Sequence, residues 1–201
     1  MDAKKKLIQY TYDKLSQLNI KTKHSFDDTD KLDLLLSLLP KNPSILDIGC
    51  NDGMPVDKYL VKKGAVVTGV DISQKAIEKA KLNVPNAEFI HADIEKIKFK
   101  NKKFDAVLVL FVLFHLLKTK HMKFFSKIHK ILKPNGHLLV TLFIKPIETT
   151  KDEYSDLKLY FSQWDEKTTK ETIIKSGFIL INESLMKINK FKHKILLFKK
   201  S

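Results

Sequence analysis

From residue 44 onward the chain alternates short apolar runs with stretches of helical periodicity, and few folds accept that alternation. Strand-like runs lie at 44–48, 65–70, 87–91, 104–111 and 137–143. Between them a helical segment at 56–63 stops at Gly64, and Ser73 stands where it can cap a helix carrying Ala76, Ile77 and Ala80 on one face. Phe124, Phe125, Ile128, Ile131 and Leu132 recur at i, i+1, i+4, i+7 and i+8, a helical stripe. The run 104–111 is apolar on both faces, as a central parallel strand must be. After an irregular polar stretch from Lys145 to about Asp165, a helix runs to Ser176. The runs 178–182 and 193–198 have no helix-length segment between them, so they pair antiparallel. The expectation is an α/β fold with a doubly wound, seven-stranded, mostly parallel sheet and an antiparallel C-terminal hairpin strand. Helix-like segments around 3–19 and at Leu32, Leu35, Leu36 and Leu39 predict an N-terminal helical cover over residues 1–40. Residues 1–201 read as a single domain, with 145–165 as an inserted lid.

Composition removes several classes. No apolar run approaches the roughly 20 residues of a membrane span, and the first seven residues lack the apolar segment of a signal peptide. One cysteine, Cys50, builds neither an internal disulfide nor a cysteine cluster for zinc. A cytoplasmic location, no membrane and no metal site are expected. The net charge of +14 comes entirely from lysine, without a single arginine. Arginine's planar fork is the usual phosphate and guanine reader, so an all-lysine balance spread along the chain suits solvated faces better than a nucleic-acid footprint.

In open α/β sheets ligands sit at the carboxyl ends of the strands, where the strand order reverses. The first loop there is Asp47-Ile48-Gly49-Cys50-Asn51-Asp52-Gly53, whose glycines let backbone approach a ligand. Asp71 ends the second strand 24 residues after Asp47, and Asp93 follows the third strand 22 residues later. Three strand-end carboxylates repel one another, so their grouping argues for a nucleoside-bearing cofactor.

The segment ILDIGCNDG resembles the first motif of the Rossmann-like, class I S-adenosylmethionine-dependent methyltransferases. VTGVDIS, HADI, FDAVLVLFVLFHLL and LKPNGHLLVTLF resemble their later motifs in order, over about residues 27–144. The resemblance implies S-adenosyl-L-methionine as cofactor, with S-adenosyl-L-homocysteine as product. It implies that Gly49, Cys50, Asn51 and Gly53 form the cofactor loop and that Asp47 organises it and the methionyl amine. Asp71 would take the ribose and Ile72 pack on the adenine, while Asp93 and Ile94 read the adenine edge. Leu110 and Phe111 would line the methionyl side, and Tyr12 or Tyr10 resembles a tyrosine that closes over the cofactor. Asn51 stands where the family commonly has glycine; asparagine tolerates left-handed backbone angles.

The acceptor side carries fewer signals. The Asn/Asp-Pro-Pro-aromatic motif of DNA amino-methyltransferases, a nucleophilic cysteine after the fourth strand and the paired glutamates of protein-arginine enzymes are all absent. An apolar rim with Phe114 remains, together with His115 as candidate base and the aromatic insertion holding Tyr154, Tyr160, Phe161 and Trp164. Phe114, Tyr160 and Trp164 are the candidate substrate residues. That composition predicts a methyl acceptor that is a small molecule, held under a lid, with no specific nucleic-acid partner. The alternatives are an RNA methyltransferase, favoured only by the +14 charge, and a non-catalytic protein that binds S-adenosylmethionine.

Overall fold

The computed structural model describes residues 2–20, 29–99, 103–154, 156–188 and 191–201. Its main sheet comprises β1 (Ser44–Ile48), β2 (Val66–Asp71), β3 (Glu88–His91), β4 (Phe104–Val109), β5 (Leu132–Phe143), β8 (Phe178–Ile188) and β9 (Phe191–Lys200). Their spatial order is β3–β2–β1–β4–β5–β9–β8. Every pair from β3 through β5 is parallel, whereas β9 runs antiparallel to both β5 and β8. The order reverses at β1, which pairs β2 on one side and β4 on the other, and that reversal opens the crevice the sequence points to.

Strand alternation sorts the core onto two faces. Ile45 of β1 and Ala106 and Leu108 of β4 face one layer, with Val56 and Leu60 of α3 (Val56–Lys62) and Leu32 and Leu35 of α2 (Thr29–Ser37). Leu46, Ile48, Val107 and Val109 face the other, against α5 (His121–Ile131) and Ile173 of α6 (Glu166–Lys175). Ser73 caps α4 (Gln74–Asn83) by accepting from the Ala76 N–H at 3.0 Å, as its sequence position predicts.

Two segments differ from the sequence reading. The stretch taken as irregular is an antiparallel hairpin of β6 (Ile147–Tyr154) and β7 (Leu157–Gln163), a separate two-stranded sheet. Its exposed side carries Glu148, Lys151 and Asp152, which reads as loop, while Leu159, Tyr160 and Phe161 are all buried and break strand alternation. The C-terminal pair is longer than its apolar runs, because β8 and β9 stay paired out to Ile188 and Phe191. Among the described residues no helix is long and apolar enough to cross a membrane.

Helix α1 (Ala3–Gln17) straps the sheet's carboxyl edge to the hairpin. Asp13 accepts from the Ser73 hydroxyl at 2.6 Å and the Lys75 N–H at 3.1 Å, and Thr11 Oγ1 donates to the Lys158 carbonyl at 2.6 Å.

Candidate functional site

The loop after β1 owes its shape to backbone angles that glycine favours. Gly49 and Gly53 have φ of 80° and 76°, and Asn51 adopts 50°. A Cβ on Gly49 would stand 2.0 Å from Val112 Cγ2, so that position has no room for a side chain. One amide from this loop and one from the turn after β2 converge on Asp71: its Oδ2 accepts from the Asn51 N–H at 3.0 Å and its Oδ1 from the Ser73 N–H at 2.8 Å. Burial pushes the Asp71 carboxyl above its ordinary range, against the pull of those amides. Each oxygen keeps a further lone pair for a hydroxyl donor.

A cleft open to solvent runs along this edge. It brings together Tyr12, Gly49, Asn51, Asp71, Ile72, Asp93, Ile94, Leu110, Phe111 and His115, ten residues the sequence singles out. A second cleft on the other side of the loop shares Gly49, Asn51, Leu110 and Phe111 and adds Asp47 and Cys50. Gly53 lines neither; a Cβ there would press on Val84 and Phe89, so its place is structural support of the turn. Burial and the surrounding carboxylates push the Cys50 thiol well up, so it stays a protonated, inert packing group.

Two acids sit beneath the loop. Alternation turns Asp47 toward the face that α3 covers, and Asp57 in that helix's first turn is fully buried. Burial and the neighbouring Asp71 raise the Asp47 carboxyl to about 7, against the opposing pull of the Asp57 side chain. Asp57 is pushed well above its usual value by burial and by Asp47.

At the other end, Asp93 is held by Lys5, whose ammonium reaches its two oxygens at 3.0 and 2.8 Å and also pairs with Glu95. Sequence reasoning missed Lys5, Val112 and Asp57. For Asp57 a signal existed: Val56, Asp57 and Leu60 form an i, i+1, i+4 stripe, which places an acid on a buried face. Lys5 is one lysine among many on an amphipathic helix and carries no such mark.

Phe111 has φ of 58°, a left-handed angle that is costly for a bulky residue. Its N–H donates to Thr141 Oγ1 at 2.6 Å, and its ring meets the His193 ring edge-on at 5.4 Å. His115 follows in a 3-10 turn, Leu113–His115, with both ring nitrogens engaged. Its Nδ1 lies 2.9 Å from the Tyr160 carbonyl, which only accepts, so Nδ1 carries the proton. In the neutral ring Nε2 is therefore the acceptor, and the Tyr12 hydroxyl donates to it at 3.0 Å. Tyr12 rather than Tyr10 enters the cleft; Tyr10 is exposed.

The candidate substrate residues are not brought into either cleft. Phe114 is fully buried, stacked against Phe143 at 4.3 Å and Phe161 at 5.7 Å. The Tyr160 side chain is also buried, and its hydroxyl donates to Glu148 at 3.1 Å under the Lys4 ammonium. Trp164 is exposed, with the Lys118 ammonium 4.3 Å from its ring centre. The side chain of Tyr154 lies outside the described residues.

Lysines concentrate in one groove, lined by Lys5, Lys96, Lys120, Lys123, Lys127 and Lys130. Lys5 and Lys120 are paired with Glu95, and Lys127 reaches the Ile94 carbonyl at 2.5 Å. The groove adjoins the Asp93 end of the cleft, away from His115.

Comparison with known proteins completes the picture. Residues 46–140 match the family model of a methyltransferase domain. The uncharacterized methyltransferase sll0829 of Synechocystis sp. is 31% identical over 61% of this chain and 56% of its own length. A ubiquinone biosynthesis O-methyltransferase of Pelagibacter ubique is 34% identical over 54% of this chain and 45% of its own. The chain thus spans about half the length of the curated relatives it matches. Among solved structures, magnesium protoporphyrin IX methyltransferase of Synechocystis PCC 6803 with bound SAH superposes with a TM-score of 0.69 at 17% identity. That match covers all of this chain and 88% of that one, and it establishes the shared fold.

Proposed function

Because residues 46–140 belong to the methyltransferase-domain family, we propose that the protein transfers a methyl group from S-adenosylmethionine to a small-molecule acceptor. The observation that carries this reading is the convergence of the Gly49 loop, Asp71 and Asp93 on a single cleft. The chemistry of the cleft's lining fits the donor. Asp71 offers lone pairs to two ribose hydroxyls, Ile72 and Ile94 offer apolar walls to an adenine, and Asp47, across the loop in the adjoining second cleft, is the carboxylate that would take the methionyl amine.

The bound donor supplies a methyl group already activated on a sulfonium. The chain's own residues then align the reactants and exclude water. His115 Nε2 accepts the proton of an O–H or N–H acceptor, by way of the Tyr12 hydroxyl or after Tyr12 swings aside, and the Tyr160 carbonyl keeps the ring in the correct tautomer. Helix α1 and the β6–β7 hairpin serve as the lid, with Phe114 and Tyr160 stiffening its base rather than touching substrate. A small acceptor is favoured because the lysine groove leads to the adenine end and not to His115. Names of relatives such as the ubiquinone biosynthesis O-methyltransferase support the same class. A cytoplasmic location accords with the buried free thiol of Cys50.

The test is transfer of label from S-adenosylmethionine into a fractionated cell extract, with the purified acceptor then used for kinetics. His115→Gln should lower turnover by about 10²–10⁴-fold while donor affinity stays within about threefold. Unchanged turnover removes the base from the reading. Label entering one RNA species, with binding that survives physiological salt, overturns the small-molecule acceptor.

A further inference from the structure

Asp57 has no part in the donor contacts described above, yet it is fully buried and neither of its oxygens meets a hydrogen-bond donor among the described residues. Asp47 Oδ1 is orphaned in the same way. Asp47 lines the second cleft and Asp57 stands behind it, so only Asp47 can touch a ligand. The charges acting on the pair are acidic: Asp71 of β2 on Asp47, and Asp52 of the loop on Asp57. Cys50 beside them is a neutral thiol, and the two residues after β4 present the apolar Leu110 and Phe111. On the far wall, the α4 ammonium of Lys79 is committed to the Ser16 carbonyl and to Asn19 Oδ1 at 2.6 Å. Two ionised carboxylates cannot lie together unpaired in such a place; sharing a proton resolves the repulsion.

Resting on the donor reading above, we propose that Asp57 is a positioning residue that keeps its proton, donates it to Asp47 and so holds Asp47 as the one anion available to the cationic amine of the ligand. In acid a second proton neutralises Asp47 and the amine loses its partner. Binding the ammonium form then expels that proton to solvent: the ammonium and the Asp47 carboxylic acid become an ammonium–carboxylate pair plus one free proton. A filler residue with no bearing on Asp47's charge would leave no such linkage.

Calorimetry from about pH 6 to about pH 8.5, in buffers of different ionisation heat, reads this directly. Two probes are used: S-adenosylhomocysteine, which carries the amine, and 5′-methylthioadenosine, which lacks it. The wild-type protein should bind S-adenosylhomocysteine more tightly as pH rises, by up to about tenfold per unit below neutrality, and release protons as it does so. Affinity for 5′-methylthioadenosine should stay flat. Asp57→Leu removes the donor, moves the rise upward by about one unit and weakens S-adenosylhomocysteine about tenfold at neutral pH, leaving 5′-methylthioadenosine unchanged. Asp57→Asn, whose amide still donates to Asp47, restores the wild-type midpoint or lowers it. The ligand's own amine titrates identically against every variant, so a shift between variants belongs to the protein. A folded Asp57→Leu protein with the wild-type pH profile overturns the proposal, as does S-adenosylhomocysteine binding that tracks 5′-methylthioadenosine at every pH. Failure of both probes to bind at any pH overturns the donor reading itself.

Discussion

The two ends of the cleft are built by different means. At the donor end, main-chain groups fix the ribose carboxylate: the Asn51 amide, brought by the loop's left-handed residues, and the Ser73 amide from the turn after β2 both reach Asp71. At the acceptor end, side chains from distant segments interlock. Tyr12, His115 and the Tyr160 carbonyl span α1, the turn after β4 and β7, and Phe114, Phe143 and Phe161 pack around them. A backbone-built site follows from strand order, since every parallel strand delivers its last residue to the same edge. A site built by side-chain interlock follows only from tertiary packing, and can change its shape without disturbing the sheet.

Three measurements press on that contrast. The largest effect is expected from Asp71→Ala, which deletes the acceptor for two hydroxyls and strands two loop amides. At about 1.5–3 kcal/mol for a hydrogen bond to a charged group, affinity for S-adenosylmethionine should fall by about a hundredfold or more. Near wild-type affinity in a folded variant would erase the distinction between the two ends.

The second effect is on stability against pH, where the two regions work in opposite directions. Asp47 holds its proton to about 7 in the folded protein, against a usual value of 3.8, so the unfolded chain loses that proton first and stability falls as pH rises between them. Beyond the turn after β4, burial keeps His121 neutral down to about 4 against a usual 6.5, so stability falls as pH drops through that window. The two nearly offset between about 4 and 6.5. Above 6.5 the carboxyls act alone, and Asp57, also raised well above its usual value, adds to the fall. The ligand-free protein should therefore have a lower melting temperature at about pH 8 than at about pH 6.5, with a slope of about 1.4 kcal/mol per unit for each retained proton. Asp57→Asn should flatten that slope. A melting temperature that rises over the same interval would mean these acids ionise freely.

The smallest effect is at Asn51. Its φ of 50° is one that glycine adopts at no steric cost, so Asn51→Gly should leave donor affinity unchanged or improve it slightly, with stability altered by less than about 1 kcal/mol. A large loss of affinity would show that the Asn51 side chain, and not only its amide, belongs to the site.

The same contrast explains what the sequence disclosed. Asp47, Asp71 and Asp93 were legible because a doubly wound sheet turns their spacing into a shared edge. Gly49 was legible because a strand-to-helix turn demands its backbone angle. Phe114, Tyr160 and Trp164 were read as substrate contacts because aromatic residues near an insertion suit a lid. The structure spends the first two on core packing and the third under a lysine. Nothing in their local sequence separates these uses, since the deciding neighbours, Phe143, Glu148 and Lys118, are set by tertiary contact. The hairpin was missed for a related reason: its strand ladder is internal, and its buried face is completed by α1, Phe114 and Phe143, which only tertiary packing brings together.

Gln163, the last residue of β7, is fully buried, and its side chain behaves as a surrogate peptide group. Its Oε1 accepts from the Phe143 N–H at 3.1 Å while its Nε2 donates to the Phe143 carbonyl at 2.8 Å. One amide thereby stitches the exit of β5 to the entry of α6 and closes the intervening segment at its neck. The entropy of closing a loop grows only with the logarithm of its length, so a segment fastened at the neck can lengthen or shorten at its tip for little thermodynamic cost. The hairpin is in that sense an interchangeable tool on a fixed handle, open to recutting while the sheet beneath keeps its register.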